Sequence, residues 1–78
     1  MDRNGLAAVQ DALEACRISD HKNPDYLETL AAAYAETKVF DKALQWQNEA
    51  IILAGEDRAT ERRARFLLYQ SKKPYRMP

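Results

Sequence analysis

Seventy-eight residues, 46% of them apolar and 31% charged, leave room for one small domain with a modest core and are too apolar for a disordered chain. The net charge is zero, a poor starting point for nucleic-acid binding. A single Cys16 excludes an intramolecular disulfide, and with one His21 there is no metal-ligand set. The neutral balance is uneven, because residues 1–55 carry five Lys/Arg against nine Asp/Glu (−4) and residues 56–78 carry seven against three (+4).

The first predicted helix spans about Gly5–Ile18. Leu6, Val9, Leu13 and Cys16 fall at i, i+3, i+7 and i+10, and Ala8, Ala12 and Ala15 thicken that stripe. A polar loop, Ser19–Asn23, ends it. Helix two opens on Asn23-Pro24-Asp25. Asn23 can accept from a free backbone N–H, Pro24 has no N–H to leave unpaired, and Asp25 suits the positive end of the helix dipole. Leu27, Leu30, Ala31 and Tyr34 then form a buried stripe, and the helix stops near Thr37–Lys38.

Helix three is expected from an Asp41 cap to Ala54, with Ala43, Trp46, Ala50 and Leu53 on one face and Gly55 as its stop. Helix four takes Asp57 as cap and runs to about Ser71, with Ala64, Leu67 and Leu68 facing inward. The tail, 72–78, has no helical pattern. Short loops between amphipathic helices predict an all-α fold of antiparallel neighbours, either a closed bundle or an open stack.

An internal repeat separates these two. A shift of 35 residues lines up Ala8 with Ala43, Gln10 with Gln45, Glu14 with Glu49 and Ala15 with Ala50. It also lines up Val9 with Leu44, Cys16 with Ile51, Ile18 with Leu53 and Tyr34 with Tyr69. Helix one therefore reads as a copy of helix three, and helix four as a degenerate copy of helix two. Such a period is typical of stacked helix–turn–helix repeats.

On Leu27, Leu30, Ala31, Tyr34, Phe40, Ala43 and Ala50, residues 23–55 resemble one complete tetratricopeptide repeat. The resemblance implies a single domain over 1–78. In it, 5–18 is the second helix of a partial preceding repeat, 56–71 is a capping helix, and the whole is similar to the C-terminal end of larger bacterial repeat proteins. Departures are Lys38 where the family has Gly, Gln47 beside Trp46 where it has an aromatic residue, and Gly55 where Pro is common. Lys38 is expected near the left-handed helical region.

The resemblance also implies a protein-interaction module. The groove-facing positions carried over to helix two are Asp25, Glu28, Thr29, Ala32 and Glu36, suited to a basic or extended peptide. The alternative is a purely structural end of a longer array, possibly self-associating, with the chain a monomer or weak homodimer. A helix-turn-helix reading through residues 41–54 is disfavoured because that helix is slightly acidic. Arg58, Arg62, Arg63, Arg65, Lys72, Lys73 and Arg76 make a basic end, read as a solvated outer face. Tyr26, Tyr34, Phe40 and Trp46 are assigned to the core, Cys16 to a buried apolar position, and His21 to an exposed loop.

There is no glycine-rich phosphate loop, no His-Glu-x-x-His and no nucleophile with a base, so neither enzyme nor cofactor is expected. No signal-peptide layout or membrane-length apolar run occurs, so a cytoplasmic location is the default expectation.

Overall fold

A computed structural model describes residues 3–73, with side chains from Ala7 onward. It contains four helices: α1 (Arg3–Ile18), α2 (Pro24–Glu36), α3 (Phe40–Ala54) and α4 (Ala59–Gln70), and no strand among the described residues. The Leu6 side chain and Arg76, both given roles in the sequence analysis above, lie outside this description.

Extensive packing joins α1 to α2, α2 to α3 and α3 to α4. A closed four-helix bundle would also need α1 packed along α4, and it is not. The helices form an open stack with α2 at its centre. On one side of α2, Leu27, Leu30 and Ala33 pack with Val9, Ala12 and Cys16 of α1 and with Ala50 of α3. On the other, Ala31 and Ala35 meet Ala43 of α3 and Tyr69 of α4. Tyr34 and Trp46 are half-buried and touch both clusters. Small residues at the α2–α3 contact let the backbones approach, and the aromatic rings fill the spaces at its edges.

Asn23 caps α2 as its chemistry demands, its Oδ1 accepting from the N–H of Asp25 at 2.9 Å and of Tyr26 at 3.4 Å. Asp41 is not a cap. Helix α3 begins at Phe40 with Val39 in the cap position and no side-chain cap bond, leaving Asp41 in the first turn. Nor does Asp57 cap α4, which begins at Ala59 after a left-handed Arg58.

Three helices end alike. The N–H of His21, Val39 and Lys73 bonds the carbonyl five residues back, on Cys16, Tyr34 and Leu68, and the residue before each has positive φ: Asp20 (58°), Lys38 (65°) and Lys72 (60°). The expectation for Lys38 therefore holds. Gly55, with φ 64°, ends α3 and sits 35 residues after Asp20, so the repeat extends into the turns.

Helix α4 turns a different face inward from the one expected. Ala64 is exposed and Leu67 is 60% exposed, so of the three expected residues only half-buried Leu68 packs against the core, whereas Arg62 and Tyr69 are buried at 1% and 0% exposure. The 35-residue shift explains this. It places Arg62, Arg65, Phe66 and Tyr69 on Leu27, Leu30, Ala31 and Tyr34, the stripe that α2 buries, and all four are buried or half-buried in α4.

Candidate binding surface and the buried polar network

An arginine in a leucine's place must find partners, because an unpaired buried charge is costly. Arg62 finds them on two segments, α2 and the turn that precedes α4. Its Nη1 donates to Oε1 of Glu28 on α2, its Nε donates to the Asp57 carbonyl at 3.1 Å, and its Nη2 lies 3.4 Å from Asp25 Oδ1 and 3.5 Å from Asp57 Oδ2. Glu28 has further neighbours: Gln47 Nε2 donates to its Oε2 at 2.9 Å, and Arg65 Nη1 approaches at 3.5 Å. The same Gln47 amide donates to the Arg62 carbonyl at 2.9 Å. One buried polar cluster therefore ties α2, α3 and α4 together. Gln47 Oε1 is its one buried side-chain oxygen without a partner.

This geometry divides the five groove positions assigned on helix two. Asp25 and Thr29 are exposed, with the Thr29 hydroxyl donating to the Asp25 carbonyl at 3.0 Å. Ala32 is half-buried and Glu36 exposed. Glu28 is a correction: at 7% exposure its carboxylate is covered by α4 and committed to Arg62, so it does not present charge to a ligand. Asp25, Thr29, Ala32 and Glu36, at i, i+4, i+7 and i+11, still share one accessible side of α2.

The basic end is smaller than its sequence suggests. Arg62 is buried and Arg65 half-buried, leaving Arg58 and Arg63 near the start of α4 and Lys72 and Lys73 after it as the exposed cations of this segment among the described residues. Gln47, a departure from the repeat pattern, is fully buried and donates two hydrogen bonds. His21 is exposed in its loop, yet its ring stacks on Trp46 with centroids 5.5 Å apart and planes 23° off parallel. Cys16 is fully buried, its Sγ 3.5 Å from the Tyr26 carbonyl, and desolvation raises its pKa above the ordinary thiol value. The exposed Glu14 is pushed the other way by its hydrogen bond to Arg17 and by that cation's charge.

Among the described residues, no group of three or more His, Cys, Asp or Glu side chains could hold a metal ion, and no helix is long and apolar enough to cross a membrane. No family model matches the chain, and no curated protein or solved structure matches it. The class defined by the fold is an all-α stack of antiparallel helix pairs.

Proposed function

We propose that this chain is a protein-interaction module of tetratricopeptide type, holding an extended basic peptide segment or a partner subunit along the open side of α2. The observation that carries this reading is the pairing of accessible positions on α2 and α4. The 35-residue shift aligns Asp25, Thr29, Ala32 and Glu36 with Thr60, Ala64, Leu67 and Ser71, and none of the eight is buried. Leu67, at 60% exposure, offers an apolar contact that the fold does not use, next to small residues that let a backbone come close. Asp25 and Glu36 at the two ends of the α2 row favour a cationic ligand.

The test is capture from host lysate by this chain and by its Glu36→Lys/Leu67→Glu variant, followed by mass spectrometry. Both residues are exposed, and a circular dichroism melt establishes that the variant folds. A protein retained by the wild type and lost by the variant supports the reading. Identical capture by both defeats it.

A further inference from the structure

Helix α4 buries one apolar side chain, Tyr69; its other buried residue, Arg62, is held by charge on Glu28 of α2. The turn that leads into it, residues 55–58, is exposed throughout and carries positive φ at both ends. Gly55 has φ 64° and ψ −120°, a conformation that strains any residue with a Cβ, although the space around it is open. Arg58 has φ 52° and ψ 33° with its Cβ in place and no side-chain cap bond to hold it there. The closed turn therefore carries a backbone cost that a helix running straight from α3 into α4 does not. No proline lies between residues 25 and 73, so nothing in the sequence bars that straight helix. The turn between α1 and α2 also has positive φ, at Asp20 and His21, but there Pro24 would break a helix drawn through it.

We infer that two copies of this chain pair by exchanging α4 through the 55–58 hinge. In the pair, α3 and α4 of each copy run as one helix, and each α4 seats on the α2 and α3 of the other copy. The occupant of the vacated face is defined by the contacts within a single chain. Arg62 reaches Glu28 and Asp25, its carbonyl accepts from Gln47, and Tyr69 and Leu68 pack on Ala31, Ala35 and Ala43. All of these join α4 to α2 and α3, so an exchanged α4 remakes them. What straightening alters is the pair of contacts between Arg62 and Asp57, both beside the hinge. The pair gains relief of both hinges. Ile52, 66% exposed in the single chain, lies about one turn before the hinge, where the two straightened helices pass each other. Exchange is reciprocal, so association closes at two copies. It does not rest on the peptide-binding reading.

Sedimentation velocity of the whole chain, refolded from urea at micromolar to millimolar concentration, tests the inference. Mass should rise with concentration and level at two copies. Each hinge residue counts twice in the pair. Gly55→Ala, which strains the closed turn and favours helix, should tighten association by about a hundredfold. Arg58→Gly, which relieves the closed turn, should weaken it by about the same factor. Both residues are exposed, and circular dichroism melts establish that these variants fold. A second arm separates exchange from any other contact. Glu28→Arg and Arg62→Glu each spoil the seat of α4, in a single chain and in a pair of like chains. In an exchanged pair of one copy each, one site regains the original Glu28–Arg62 contact and the other holds it reversed. Native mass spectrometry of the two variants refolded together should find the mixed pair in about tenfold excess over either like pair. A wild type and Gly55→Ala that both stay monomeric at millimolar concentration, or a mass that passes two copies, would overturn the exchange. So would a mixture without an excess of mixed pairs.

Discussion

Glu28 and Arg62, 34 residues apart in the chain, form an ion pair at the junction of three helices with side chains only 9% and 2% exposed. Arg62 stands where the repeat has Leu27, so a position that packs by apolar contact between α1 and α2 is polar between α3 and α4. The two partners are inseparable for this reason. Glu28→Ala leaves the Arg62 guanidinium buried without its principal carboxylate and should cost about 3 kcal/mol. Replacing both, as Glu28→Leu/Arg62→Leu, removes the desolvated charges together and should restore stability to within about 1 kcal/mol of wild type or above it. Urea unfolding followed by helical circular dichroism distinguishes the outcomes. A double variant as unstable as Glu28→Ala alone would show that Gln47 and Asp57 need the pair.

Lys38 holds φ at 65° in the turn between α2 and α3, where a Cβ crowds the following carbonyl. Lys38→Gly removes that strain and is expected to stabilise the fold by about 1 kcal/mol, raising the thermal midpoint by several degrees. Lys72, with φ 60°, occupies the same place after α4 but adjoins no further described helix, so Lys72→Gly should gain less. A midpoint unchanged by Lys38→Gly would mean that the glycine's extra unfolded-state freedom cancels the relief.

Asn23 satisfies two backbone N–H groups at the start of α2, the helix on which both core clusters converge. Asn23→Ala should therefore destabilise the whole domain by about 1 kcal/mol. Asp41→Ala, which removes no cap bond, should cost clearly less in the same melts.

How much of this was legible in the sequence depends on which residues carried the signal. Apolar periodicity and the Asn-Pro-Asp start located α2, because each part of that signature has one structural use. The four helices and their antiparallel pairing followed from short loops and the 35-residue shift. Asp41 and Asp57 misled because an acidic residue near a helix start serves equally as a cap, as first-turn charge or, for Asp57, as a partner to Arg62. On α4, Leu68 packs inward as expected, but Ala64 and Leu67 do not; hydrophobicity favours them over a stripe containing two arginines. The alignment of Tyr34 with Tyr69 already marked the true face. What it did not reveal is that Glu28 and Gln47 sit opposite Arg62, since such contacts depend on how three helices cross.

Cys16 gives the fold a defined alkaline edge. Burial raises its pKa, so the folded state holds the thiol proton more tightly than the unfolded chain, whose thiol titrates near about 8.5. Below that pH both states are protonated and the contribution of the neutral thiol is fully present. As pH rises beyond it, the unfolded state loses its proton first, so stability falls until the folded pKa is passed. Lysines and tyrosines also titrate there, so the measurement is a comparison of urea unfolding at pH 7 and pH 10 for wild type and Cys16→Ala. The wild type is expected to lose more stability over this interval. Equal losses would place the Cys16 thiol in contact with solvent. A thiol reagent checks the same point by rate: the buried Sγ should react only as fast as α1 opens from α2, and faster in Asn23→Ala, which loosens the start of α2 beside it.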